Sequence, residues 1–188
     1  VVPIVGVIAY NNLSTAIIIL GIAVILIFVA NPQFLPFLWI GGTGVGFIGI
    51  FLSLESYRLE RLAIWRNPEL YEKGYQTMQG LYAIGSGGLF GVGLGESMQK
   101  LGFVPEAQND MIFSIICEEL GLTGAVAVLV IFGLLIWRLM VIATWTKDLF
   151  GALLAAGVMG HIMIQVILNV AVVTNTIPNT GIPLPFVS

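Results

Sequence analysis

The chain has 188 residues, of which 58% are hydrophobic and only 9% charged, and its formal net charge is -3. Soluble globular domains carry about 25% charged residues, so this composition excludes an ordinary soluble domain and points to a bilayer. The slightly acidic balance gives no basic footprint for nucleic acid, and a single cysteine, Cys117, excludes an internal disulfide.

Hydropathy orders the chain into helices. Val1–Tyr10 reads as the tail of one apolar helix, broken from the next by Asn11-Asn12. Leu13–Ala30 and Phe34–Leu54 carry no charge, Leu120–Ala143 carries only Arg138, and within Leu149–Val173 only His161 is titratable. About 20 apolar residues cross the hydrocarbon core as a helix, so these four runs are predicted spans. None shows the period-2 alternation of a barrel strand, and backbone groups in lipid must be paired internally. The fold class is therefore all-α, a polytopic transmembrane helix bundle forming one membrane domain over 1–188. The chain begins inside an apolar run and reads as a piece of something longer.

Short turns at Asn31-Pro32-Gln33 and Thr144–Asp148 join the spans in pairs, and Pro32 cannot continue a helix. A long polar loop, about Ser56 to Glu119, separates the pairs, and a Pro-rich exit, Ile182-Pro183-Leu184-Pro185, follows the last span. Arg58, Arg61, Arg66, Lys73 and Lys100 lie in the long loop. A positive-inside count would put it in the cytoplasm, but the rule weakens for loops of about 60 residues. Inside the loop, Tyr57–Trp65 and Gly74–Ala83 are predicted helical. Gly85–Gly95, with six glycines in eleven residues, is predicted irregular. A short apolar helix is expected over Met111–Cys117, opened by Asn109 or Asp110 and closed by Glu118-Glu119.

Several residues are candidates for chemistry, each with a plainer alternative. Bare backbone N–H groups over Gly85–Gly95 could cradle a phosphate; the alternative is a compact turn packed on the helices. Asp110 stands between a Pro-Glu turn and an apolar helix, a setting that suits a general base; the alternative is a helix N-cap. Arg58, Arg61 and Lys100 could hold a pyrophosphate, or snorkel at the membrane surface. Glu106, Glu118 and Glu119 could meet a metal or steer an acceptor, or be solvated capping charges. His161, Gln165 and Asn169 recur at i, i+4 and i+8 on one face of the last span, either lining a cavity or bonding between helices.

The same residues carry a family resemblance. Tyr57-Arg58 with Arg61, Gly74-Tyr75-Gln76, Ala83-Ile84-Gly85, Gly87-Gly88-Leu89, Gly91, Gly93-Leu94-Gly95, Ser97 and Gln99-Lys100 appear in order. Pro105-Glu106, Asp110, Ile112-Phe113, Glu118-Glu119-Leu120-Gly121, Gln165, Asn169, Pro178, Thr180 through Phe186 and Ser188 follow. Over essentially its whole length the chain resembles the SEDS family (shape, elongation, division and sporulation), which includes FtsW, RodA and SpoVE. That resemblance implies a ten-helix membrane glycosyltransferase that polymerises lipid II into peptidoglycan strands with inversion, and this chain would hold roughly its sixth to ninth helices. It implies a multi-pass protein of the bacterial cytoplasmic membrane with loop 56–119 extracytoplasmic, against the charge count.

By the same resemblance Asp110 takes the place of the family's essential loop aspartate. Arg58, Arg61, Lys100, Glu106, Gln165 and Asn169 are expected at the substrate. No protein-held metal is expected, although Mg²⁺ could accompany the pyrophosphate. The expected partners are lipid II, the undecaprenyl-pyrophosphate-linked glycan, a class B penicillin-binding protein acting as transpeptidase, other divisome proteins and membrane lipids. Two departures stand out: Asn109 and Met111 replace the usual Thr and Phe beside the aspartate, and Tyr10-Asn11-Asn12 replaces a Gln-Pro-Asp. Readings from other classes are a lipid II flippase, which would keep its critical charges near the bilayer midplane, and a non-catalytic scaffold that recruits a transpeptidase.

Overall fold

The computed structural model describes residues 2–31, 56–105 and 107–188. Six α-helices follow one another among them: α1 Val2–Asn11, α2 Leu13–Ala30, α3 Ser56–Arg66, α4 Tyr75–Gly87, α5 Ile112–Trp145 and α6 Leu149–Val173. Short 3-10 turns at Pro68–Leu70, Glu72–Gly74 and Gln99–Lys100-Leu101 punctuate the loop. α2, α5 and α6 are long and apolar enough to cross a membrane. The run expected at 34–54 lies outside the described residues. The described chain divides into two compact units, one of 1–63 with 139–161 and one of 64–138 with 162–188.

In the first unit the Asn11-Asn12 break is a helix restart. Asn12 leaves the helical region (φ -147°, ψ 95°), and its Oδ1 accepts the Thr15 N–H at 3.1 Å, capping α2. Val5, Ala9 and Ala16 form the buried contact between α1 and α2. The start of α6 is capped by Asp148, whose Oδ2 accepts the Gly151 N–H at 2.9 Å. Gly157 and Gly160 then let α6 approach α2. A Cβ on Gly160 would stand 2.7 Å from Ile25 Cδ1, and one on Gly157 3.5 Å from Leu26 Cδ2. Small residues at a helix contact allow the close packing on which association in lipid depends.

The second unit is built around a break in α5. Gly121 has φ 66° and ψ -166°, so the helix over 112–120 stops and a second one resumes over 122–145. A break leaves the last carbonyls of one segment and the first N–H groups of the next without helical partners. The glycine-rich loop supplies both sets. Val92 and Gly93 donate to the carbonyls of Glu118 (2.9 Å) and Glu119 (3.0 Å), while the carbonyls of Gly88 and Leu89 accept from Leu122 (2.9 Å) and Thr123 (3.1 Å).

Such intimate contact leaves no room for side chains. A Cβ on Gly91 would overlap the Glu119 carbonyl, one on Gly87 the Cys117 carbonyl, and one on Gly121 the backbone of Leu89 and Gly91. On α4, Gly80, Ala83 and Gly87 are all buried at i, i+3 and i+7. Gly80 faces Ser114 Oγ and Met111 Sδ at 3.1 and 3.5 Å from its would-be Cβ.

This arrangement corrects three expectations. The helix predicted over Gly74–Ala83 runs on to Gly87, because its glycines are small contact positions on a helix face. The short helix expected at Met111–Cys117 reaches residue 120 before the break. Within Gly85–Gly95, the N–H groups of Gly91, Val92 and Gly93 donate to protein carbonyls and that of Gly95 bonds the Glu119 carboxylate, so these four are taken up within the protein and the segment forms a compact packed turn.

Gly121→Ala or Gly91→Ala in the full-length protein should lower thermal stability by about 2 kcal/mol or more, combining left-handed backbone strain with backbone overlap. Gly85→Ala, on an open helical site, should be neutral or stabilising by about 0.5–1 kcal/mol. Melting of the three variants in detergent checks the contrast.

Candidate active site

Asp110 is the last residue but one before α5 and is only 7% exposed; its neighbour Met111 is fully buried. Three segments far apart in sequence converge on it. From α4, Gln76 Nε2 donates to Asp110 Oδ1 at 3.2 Å. From α6, Asn169 Nδ2 donates to the Asp110 carbonyl at 2.8 Å and to the Ile182 carbonyl at 2.8 Å. From the exit segment, Ser188 Oγ donates to the Asn109 carbonyl at 2.7 Å and accepts the Leu184 N–H at 3.0 Å. Ile182 and Leu184 are buried and anchor that segment.

The exit turns toward the site through a cap at the end of α6. Asn175 takes a left-handed conformation (φ 54°), and the N–H groups of Thr176 and Ile177 return to the Ala171 carbonyl at 2.8 and 3.2 Å, a closure that glycine or asparagine favours. Trp65 Nε1 donates to the Asn175 carbonyl at 2.9 Å, and Asn175 Nδ2 donates to the Trp65 carbonyl at 3.4 Å. Asn179 then hydrogen-bonds Gln76, Nδ2 to Oε1, at 3.4 Å.

The other candidates are distributed unevenly. Asn169 is fully buried, and both protons of its amide go to backbone carbonyls. Gln165, one turn earlier, is half-buried, and His161 is exposed. Lys100 pairs with Glu119 at 2.9 Å while remaining 44% exposed. Its backbone N–H donates to Ser97 Oγ at 3.1 Å, and the Ser97 hydroxyl in turn donates to Glu118.

Glu118 is buried and the Glu119 side chain nearly so. Neither is a solvated capping charge, because the glycine loop closes over the end of the helix segment that carries them. Lys100 also borders a cleft of about 320 Å³ with Val104, Ala107, Gln108, Ile112 and Ile115. Arg61 is exposed on α3. The backbone of α3 includes Arg58, whose side chain lies outside the described residues, as does Glu106. Among the described residues, no three His, Cys, Asp or Glu side chains gather into a group that could hold a metal.

With the break, the loop and the buried aspartate in place, the comparisons with known proteins become specific. The family model described as "Cell cycle protein", covering FtsW, RodA and SpoVE, matches residues 1–188. The chain belongs to the FtsW/RodA/SpoVE family.

Stage V sporulation protein E of Bacillus subtilis (strain 168) is 44% identical over 180 residues, covering 94% of this chain and 49% of that protein. A probable peptidoglycan glycosyltransferase FtsW of Trichlorobacter lovleyi is 37% identical over 179 residues, covering 94% and 47%. Among solved structures, a chain of a peptidoglycan synthase complex that coordinates polymerization and crosslinking superposes with a TM-score of 0.76 at 26% identity, covering 99% of this chain and 52% of that one. The chain thus spans about half the length of the relatives it matches. It is an all-α integral membrane protein of this family.

Gln76 and Asn179 do not follow from residue type or spacing, since they stand 103 positions apart on elements that meet only in the fold. Gln76 lies within the Gly74-Tyr75-Gln76 motif, which signals the family without assigning the glutamine a task.

Replacing Asn169 with Ala strands two buried carbonyls. Stability should fall by about 2–4 kcal/mol, and Asn169→Asp, which sets an acceptor against acceptors, should be at least as damaging. Hydrogen exchange of the full-length variants, followed at 109–111 and 182, should show loosening there first.

Proposed function

We propose that the whole protein polymerises lipid II into glycan strands, with Asp110 as general base. The observation that carries this reading is a carboxylate almost sealed from solvent, with its main chain and side chain both held, in a chain of this family. The acceptor is the 4-hydroxyl of a GlcNAc on lipid II. Asp110 takes its proton as the oxygen attacks the anomeric carbon of the MurNAc in the donor. The anomeric C–O bond breaks with inversion, and undecaprenyl pyrophosphate departs with the electron pair. General-base assistance typically accelerates a reaction about 10²–10⁴-fold, or roughly 3–5 kcal/mol.

An inverting glycosidase needs a second carboxyl group to protonate its leaving oxygen. A pyrophosphate leaves without one when its charge is neutralised, and Arg58, Arg61 and Lys100 are assigned that work. Lys100 already holds Glu119, so it would serve by sharing its remaining donors with phosphate oxygens. Mg²⁺ bound to the pyrophosphate would add positive charge there. Glu106 and Gln165 are assigned to the sugar. Asn169 acts on the substrate only through the Asp110 segment it fixes.

Loop 56–119 is placed on the extracytoplasmic face of the bacterial plasma membrane, where lipid II presents its sugars. The partner is a class B penicillin-binding protein, with other divisome proteins around the pair; the solved neighbour's coupling of polymerization to crosslinking supports this.

The test is lipid II polymerisation in proteoliposomes by the full-length protein with its transpeptidase. Asp110→Asn should fold, bind the partner and lose glycan product by at least about 10²-fold. Full product from the variant would return Asp110 to a helix cap or scaffold role. Absence of product from the wild type would favour the flippase.

A further inference from the structure

The geometry points to Gln76 as a positioning residue for Asp110, oriented in its turn by Asn179. The inference rests on the general-base reading and adds to it the device that holds the base.

Side-chain amides can be turned end for end, so the direction of an amide hydrogen bond must be fixed by a group that cannot be reversed. Here that group is a backbone N–H. Gly181 N donates to Asn179 Oδ1 at 2.9 Å. With its oxygen committed as acceptor, Asn179 presents Nδ2 and donates to Gln76 Oε1 at 3.4 Å. Gln76, with its oxygen likewise committed, presents Nε2 to Asp110 Oδ1 at 3.2 Å.

A donor that cannot be an acceptor stands at one end of this relay, and a carboxylate that must be an acceptor to work as a base stands at the other. Turning either amide alone would set N–H against N–H at one of its ends and oxygen against oxygen at the other. The relay therefore holds an N–H on the carboxylate and fixes its plane, while Asn169 fixes the main chain behind it. Gln76 is half-buried on the face of α4 that also carries Gly80 and Gly87, and the contacts of those glycines with Met111, Ser114 and Cys117 hold that face against the start of α5. Sites that work on reacting atoms gain from such preorganised support.

Full-length variants with the transpeptidase partner test this by the split between kcat and KM in lipid II polymerisation. Gln76→Leu, which removes the donor, should lower kcat about tenfold, the worth of one hydrogen bond to a charged group, with KM and melting temperature unchanged. Gln76→Glu keeps the shape and the acceptor for Asn179 but sets a second carboxyl against Asp110, so its loss should be larger and approach that of Asp110→Asn. Asn179→Asp keeps the acceptor for Gly181 and removes the donor to Gln76; a smaller kcat loss is expected. In an Asp110→Asn background none of these should lower the residual rate further.

Wild-type kcat in Gln76→Glu beside an inactive Asp110→Asn would overturn the positioning role and leave the base intact. A loss expressed in KM or in melting temperature would overturn it in favour of a substrate contact or a purely structural part. Full activity of Asp110→Asn would remove the base and the relay together.

Discussion

One backbone constraint underlies the second unit: a membrane-crossing helix is broken at Gly121, and a glycine loop supplies the hydrogen bonds the break removes. A buried helix break costs several unpaired carbonyls and N–H groups unless partners arrive. Here they come from residues 88–93 through main-chain bonds on both sides of the break. Because the bonds run backbone to backbone, the strands of chain must touch with nothing between them, and glycine is the residue that permits this at 87, 91 and 121. The same closure buries Glu118, holds Glu119 against Lys100 and presses α4 onto residues 111–118.

Asp110 inherits its position from that scaffold. It sits at the start of the segment that the loop closes, and two side-chain amides reach it. Gln76 and Asn169 each use a neutral group to bind it, one at the side chain and one at the main chain. Neutral donors orient a carboxylate without neutralising it, as a nearby ammonium would.

Much of this was legible in the sequence, and what was not has identifiable causes. Apolar run length marked α2 and α6 to the residue, because capping side chains such as Asn12 and Asp148 mark their starts. The aspartate was legible because a charge next to an apolar helix is conspicuous. The glycine segment was misread in part: six glycines in eleven residues look like flexibility, whereas Gly85 and Gly87 complete a helix, Gly91 and Gly93 hold positive φ, and Gly91 is also a close backbone contact. Glycine content reports permitted conformations, and only the partner reveals which one is used. The break in α5 was hidden because Gly121 lies inside the run 120–143, whose one charge, Arg138, stands far from it, and hydropathy carries no record of φ. Gln76, Asn179 and Ser188 were out of reach, since ordinary polar residues become meaningful only when α4, α5 and the exit segment meet.

The backbone character of the loop–helix junction also bears on how such a protein can change over time. The joining bonds at 88, 89, 92 and 93 use no side-chain atoms, and Leu89, Phe90 and Leu94 are 62%, 81% and 76% exposed. These positions can drift in size and polarity while the spacing of glycines stays fixed. The loop thus separates two kinds of inheritance: a glycine register that keeps the fold, and an outward vocabulary free to be rewritten for a different neighbour without disturbing the carboxylate beneath it.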